Sequence, residues 1–264
     1  MVIVYFTYLI SEELFHNQEV NLFALLGIIC FLPLYMYANF VYGDLPAIAL
    51  GMMGIWAVLR WCDAKKTKYL VMAPACFVFA TLFRKNTLVI LLAVLICLVI
   101  YSLRSLDWRG AVLGVMILVL PILGIQGVQH VYELRSGIEI GDGIPSVSWI
   151  AMGMQECWNG AGVYNAYNES VFWGIAEGDT YLANKIARKY IKERTAEFLA
   201  DPGLARNFYR FKLLGQWNES TFSSQFMTHY FEEPPNGFVE SVYYGRLQEV
   251  YIKTMNRYVF IIYL

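Results

Sequence analysis

Long apolar runs broken by short charged clusters constrain the fold of this chain more than any other feature. In residues 20–59 the charged residue is Asp44, and in residues 69–103 the charged residues are Arg84 and Lys85. A helix needs about 20 apolar residues to cross about 30 Å of hydrocarbon, so the run 20–59 is long enough for two spans, and the run 69–103 divides into two shorter helices. Because no closed-barrel pattern is present, the backbone in lipid must be helical. The runs therefore predict helix pairs hinged at Asp44 and at Arg84.

Composition supports the same fold class, an all-α polytopic membrane protein. Hydrophobic residues make up 58% of the 264 residues and charged residues 16%, against about half and a quarter in soluble domains. The net charge of -1 argues against a nucleic-acid partner, which requires a concentrated basic surface. We expect a transmembrane helical domain at 1–130, a mainly helical extracytoplasmic segment at 131–252, and a further span beginning at 253–264. Since both terminal segments are apolar, we expect the chain to be truncated within helices at each end.

Lysine and arginine in the short loops predict the orientation. Cytoplasmic loops of membrane proteins carry an excess of these residues. They cluster in the loops at 60–68 and 104–109. Both loops are therefore predicted to be cytoplasmic, which puts Asp44, Arg84 and the segment 131–252 outside. The chain is therefore predicted to be a multi-pass protein of the plasma membrane, in contact with the lipid bilayer.

The charged residues within the apolar runs are the first candidates for chemistry. A carboxylate between two apolar helices is costly unless it faces water, a partner or a cavity, so Asp44 is a candidate catalytic residue. The alternative is a solvated turn residue that caps the following helix. Arg84 and Lys85, with Asn86, could bind a phosphate through charge-assisted hydrogen bonds. Their alternative role is to extend toward lipid head groups.

The extracytoplasmic segment contributes two weaker candidates. The stretch SWIAMGMQECW resembles a short interfacial helix with Trp149 as an anchor, and Glu156 is a polar residue beside it. Both could contact an acceptor, although most such residues are ordinary surface. Residues 179–199 form the clearest amphipathic helical pattern in the chain, ended by Asp201-Pro202-Gly203.

Two motifs carry a family resemblance. The sequences FVYGDLPAIALGM and ATLFRKNTLVILLAVL, separated by a basic loop, resemble the GT-C class of membrane glycosyltransferases. Within that class they look like bacterial family 39 proteins, which are related to protein O-mannosyltransferases and lipid A aminoarabinose transferases. In that family an acidic residue near a proline begins one helix, and a basic residue with a nearby Asn opens a later one. Asp44 matches the first element, and Arg84, Lys85 and Asn86 match the second.

The resemblance implies an activity. It is transfer of a sugar from a polyprenyl-phosphate donor to an acceptor on the outer face, with Asp44 as catalytic residue and Arg84, Lys85 and Asn86 at the donor phosphate. Asp44 would deprotonate the acceptor or hold a divalent metal ion. The family's key acidic residue in the first outer loop is expected to lie upstream of Met1, so this fragment could be inactive alone. The other interpretations are a transporter or flippase of lipid-linked saccharide and a non-catalytic membrane scaffold.

Overall fold

The chain divides into two compact units. The computed structural model describes residues 1–40, 42–158, 160–228, 233–234 and 236–264. The first unit combines residues 1–136 with 221–264, and the second comprises residues 137–220. The second unit is shorter than the predicted segment 131–252, because the helix before it continues to Ser136 and the chain after Ser220 packs with the first unit.

The first unit is helical throughout its described residues. It contains α1 (Val2–Phe15), α2 (Gln18–Cys30), α3 (Leu32–Met36) with a 3-10 turn at Tyr37–Asn39, α4 (Asp44–Ala64), α5 (Thr67–Phe83), a 3-10 turn at Lys85–Thr87, α6 (Leu88–Ser105) and α7 (Trp108–Ser136). The expectation of helices hinged near Asp44 and Arg84 is confirmed, since α4 begins at Asp44 and α5 ends one residue before Arg84. Helix α7 continues to Ser136, past the predicted end of the transmembrane domain at residue 130.

Helices α4 to α7 surround the largest buried cluster of the first unit. Phe77 of α5 is fully buried, and its ring lies against Gly54 of α4, where a Cβ would come within 2.8 Å of the ring. Leu91 and Leu98 of α6 and Leu113 of α7 complete this core. The missing side chain at Gly54 therefore sets how closely α4 and α5 approach each other.

Among the residues that the structure describes, three helical segments are long and apolar enough to cross a membrane. They are Asp44–Ala64, Lys85–Ser105 and Trp108–Ser136. The pair Gln18–Cys30 and Leu32–Asn39 would make a fourth if it is counted as one span bent by 50°, and Thr67–Phe83 is apolar but shorter. With 21 residues rising 1.5 Å each, α4 is about 31 Å long, close to the thickness of the hydrocarbon layer.

The break between α2 and α3 was absent from the sequence prediction. At this break the backbone N–H of Phe31 donates to Ile28 O at 3.4 Å, one residue short of the helical partner Gly27 O. The Gly27 carbonyl instead accepts a hydrogen bond of 2.8 Å from the Tyr258 hydroxyl. A distant side chain thus satisfies the carbonyl that the break leaves open.

Tyr258 belongs to the C-terminal part of the first unit, residues 221–264. This part contains α12 (Ser224–Met227), α13 (Gly237–Tyr243) and α14 (Arg246–Tyr263). Tyr251, Met255 and Val259 are the buried residues of α14, spaced four apart as on one helical face. The predicted start of a span at 253–264 therefore lies inside a helix that begins at Arg246.

The second unit is built mainly from short helices around two longer ones. It contains α8 (Ser146–Met152), strands β1 (Glu156–Cys157) and β2 (Gly160–Ala161), α9 (Tyr167–Glu169) followed by a π-helical turn at Ser170–Ile175, α10 (Thr180–Ala200) and α11 (Pro202–Asn218). Strands β1 and β2 pair antiparallel, a small exception to the all-α prediction. Asp179 and Asp201 cap α10 and α11 by accepting backbone N–H bonds, which explains why the amphipathic pattern begins and ends there.

Candidate functional site: the Asp44–Arg84 pair

Two linkers meet at one end of helices α4, α5 and α6. Gly43, the N-cap residue of α4, lies so close to Phe83 that a Cβ would collide with the Phe83 carbonyl oxygen. This close approach brings the residue after Gly43 beside the residue after Phe83. The glycine is needed here for space between two backbones.

The structure brings Asp44 and Arg84 together at this point. Arg84 Nε lies 2.8 Å from Asp44 Oδ1, and the side chains are 32% and 37% exposed. The linker that carries Arg84 is fixed, because the Arg84 N–H donates to Ala80 O and the Thr87 N–H donates to Arg84 O. Helix α4 begins without a side-chain capping hydrogen bond. Asp44 therefore does not cap α4, as the alternative interpretation expected, and instead forms an ion pair with Arg84.

Arg84 has donor capacity left over. The guanidinium carbon lies 4.3 Å from the centre of the Tyr42 ring, a stacked cation–π arrangement. The Nε atom is buried, and no hydrogen bond of good geometry satisfies it within the described residues, although Asp44 Oδ1 is near. A guanidinium has five N–H donors in a fixed fork that suits phosphate or carboxylate oxygens. The N–H groups of the guanidinium other than Nε can therefore donate hydrogen bonds to a further anion.

Lys85 and Asn86 lie beside the pair without joining it. Both are exposed in the 3-10 turn that follows Arg84. The same turn buries Thr87, whose hydroxyl donates to Ala80 O at 3.4 Å. Of the three residues assigned to donor phosphate, Arg84 is the one in contact with Asp44, while Lys85 and Asn86 face outward on the same turn.

The opposite end of these helices carries a second ion pair. Lys65, after α4, donates to Asp107, before α7, with Nζ 2.8 Å from Oδ2. This hydrogen bond and the one from the Arg109 backbone N–H hold the pKa of the Asp107 carboxyl below its usual value. Burial lowers the pKa of Lys65, but its hydrogen bonds to Asp107 and Tyr101 outweigh that effect and raise it. The two basic loops therefore lie at one end of the helices, and Asp44 and Arg84 lie at the other.

Trp149 and Glu156, the two acceptor candidates, both belong to the second unit. Trp149 lies on α8 and is 47% exposed. Glu156, on β1, lies 3.7 Å from Arg194 of α10. Arg194 also donates to Met154 O at 3.1 Å and to Glu197 at 2.8 Å. Glu156 is thus attached to an arginine that the sequence prediction did not single out.

The donor set around Asp44 does not fit a resident metal ion. Protein metal sites use three or more ligands of suitable type. In the described part of the chain, no group of three or more His, Cys, Asp or Glu side chains is placed to hold one. Asp44 instead faces a cation.

Sequence reasoning missed two parts of the candidate site. Tyr42 stacks on Arg84, and Gly43 allows the two linkers to touch. Both directly precede Asp44 in the motif FVYGDLP, so a signal was present, but their roles depend on a partner 40 positions later. Comparisons with protein-family models, with curated proteins and with solved structures found no match.

Proposed function

We propose that this chain is a multi-pass membrane protein of the plasma membrane, with Asp44 and Arg84 at its outer face. Three long apolar helices and the clustering of basic residues at the opposite end support this placement. The second unit, residues 137–220, would follow on the outer side.

The proposed activity is that of a GT-C-like glycosyltransferase using a polyprenyl-phosphate sugar. The observation that carries it is the Asp44–Arg84 ion pair of 2.8 Å, formed through Arg84 Nε, with the Arg84 guanidinium stacked on Tyr42. Transfer of a sugar from a lipid phosphate needs a cation for the leaving group and a base for the acceptor. The pair offers one of each.

The chemistry follows from exchange of partners within the pair. The donor phosphate would bind the free donors of Arg84 and weaken its hold on the Asp44 carboxylate. Asp44 would then accept the proton of the acceptor hydroxyl as that oxygen attacks the anomeric carbon. The bond from the anomeric carbon to the phosphate oxygen breaks, and the phosphate leaves with the electron pair beside Arg84. Lys85 and Asn86 are proposed to contact the same phosphate.

The test is sugar transfer from a radiolabelled undecaprenyl-phosphate sugar in membranes containing the full chain. Asp44→Asn keeps the size and polarity of the side chain and removes its charge, so turnover should fall at least about a hundredfold. Arg84→Ala should raise the donor KM by about tenfold or more, and Arg84→Lys should restore it in part because an ammonium lacks the fork.

Each matched control removes the same kind of charge at a position away from the pair. Asp63→Asn removes an exposed carboxylate near the other end of α4, and Arg104→Gln removes a cation near the end of α6. Both should retain activity within about twofold, as surface charge changes usually do. Full activity of Asp44→Asn at equal protein level would exclude catalysis by this residue and favour the transporter or scaffold interpretations.

A further inference from the structure

A cavity lies at the end of the first unit opposite the Asp44–Arg84 pair. Its volume is about 280 Å³, and it is bounded by the end of α4, the beginning of α5 and the beginning of α7. Its polar lining comes from Lys65, Thr67 and Arg109. These groups could all donate hydrogen bonds to an anion.

The two cations of the cavity differ in how they are held. Lys65 Nζ is fixed by Asp107 at 2.8 Å, with the Trp61 and Tyr101 rings 4.2 and 4.5 Å away. Arg109 is exposed, and its guanidinium forms no ion pair within the described residues. Its backbone N–H is held by Asp107 Oδ1 at 3.1 Å. Arg109 is therefore anchored at its backbone, while its charged end interacts with Asp107 only through its charge, which helps to lower the pKa of that carboxyl.

The remaining lining is apolar and aromatic. Leu70, Val112 and Met116 line the part of the cavity along the helices. Trp108 is 71% exposed at its rim, where an indole commonly marks a membrane–water interface. A free phosphate would use the cations alone. A ligand with an anionic head and an apolar tail would use both parts.

We propose that this cavity binds an anionic phospholipid, with the phosphate at Arg109 and Lys65 and an acyl chain along Leu70, Val112 and Met116. Charge complementarity supports this occupant, because residues 61–68 and 104–109 together hold five basic and two acidic residues. Basic pockets between helix ends on the cytoplasmic side are suited to such head groups. The proposal depends on the membrane location given above and is independent of sugar transfer.

The experiment compares lipids that share acyl chains. The purified full chain in an uncharged detergent is titrated with dioleoylphosphatidylglycerol, with dioleoylphosphatidylcholine and with glycerol 3-phosphate, and bound lipid is counted by native mass spectrometry. The anionic lipid should bind most tightly. Arg109→Gln should weaken its binding about five- to tenfold, whereas Arg104→Gln, a cation outside the cavity, should change it less than about twofold.

Three results would overturn the proposal. The first is equal binding of the two lipids, which would exclude recognition of the head group. The second is equal binding of glycerol 3-phosphate, which would exclude the acyl chain. The third is equal loss in Arg109→Gln and Arg104→Gln, which would reduce the effect to general surface charge. Because no activity is measured, failure here is separable from failure of the glycosyltransferase proposal.

Discussion

Replacing Gly54 with alanine tests the contact that holds α4 against α5. A Cβ at this position would lie 2.8, 2.9 and 3.0 Å from three atoms of the Phe77 ring, inside ordinary van der Waals distance. Phe77 is fully buried and cannot turn away into open space. Overpacking of this kind costs about 1–3 kcal/mol.

Gly51→Ala is the matched control on the same helix. A Cβ at Gly51 would meet only Ile90 Cδ1, at a comfortable 3.9 Å. Both changes lie inside α4 and gain about the same 1 kcal/mol of helix propensity. That gain cancels between them, so the difference in stability between the two variants isolates the overpacking at Phe77, about 1–3 kcal/mol.

The buried thiol of Cys76 provides the assay. It is 6% exposed in α5, the helix that carries Phe77, so a thiol-reactive dye reaches it when the packing around α5 opens. With the other four cysteines replaced by alanine, the dye signal on heating reports this core. Gly54→Ala should unfold several degrees below Gly51→Ala, since about 1 kcal/mol moves Tm by about 2–4 °C in a chain of this size.

Two outcomes would refute the reasoning. One is equal Tm values for the two variants. The other is failure of Phe77→Leu, which removes the colliding ring atoms, to recover part of the stability of Gly54→Ala. A contact that limits the approach of two helices must respond to changes on either side.

Three further predictions concern other parts of the chain. The stability difference between wild type and Asp107→Asn should be constant above the ordinary carboxyl pKa of about 4 and vanish as pH falls through the lowered pKa of Asp107, as thermal unfolding against pH would measure. In right-side-out vesicles of a cysteine-free background, an impermeant maleimide should label Lys85→Cys and leave Lys66→Cys unlabelled; the reverse pattern would invert the proposed topology. Arg194→Lys should increase proteolysis near Met154, because lysine loses the fork that holds this carbonyl, while Lys189→Ala, at a weak exposed pair, should not.

The helix starts were the part of the fold most accessible from sequence. Asp44 before Pro46 and the capping Asp179 mark positions where backbone N–H groups need partners, and the structure begins helices at Asp44 and at Thr180. The break at Phe31 was missed because no charge or glycine marks it, and Pro33 suits the first turn of a new helix as well as a kink. The predicted transmembrane domain ends at residue 130, but α7 continues to Ser136. Polar residues after Gln129 indicate contact with water and do not by themselves end a helix.

The candidate site was predictable in its charged members and not in its geometry. Asp44 and Arg84 stand out because charges inside apolar runs are rare. That they meet depends on Gly43 passing close to the Phe83 carbonyl, a contact between linkers 40 residues apart that periodicity cannot show. Arg194 was missed because it is one of several charged residues on an amphipathic helix. Nothing near it in the sequence indicates its partners, Met154 and Glu156.

The hydrogen bond from Tyr258 to Gly27 has a consequence for biogenesis. The two residues are 231 positions apart, and a ribosome adds about 5–20 residues per second, so the carbonyl is made about 10 to 50 seconds before its donor. In the proposed membrane location, lipid offers it no partner during that interval, and water or polar groups of the insertion machinery must serve. The bent form of α2 and α3 is therefore completed after translation of α14, and chains shortened before Tyr258 should be held back as substrates of membrane quality control.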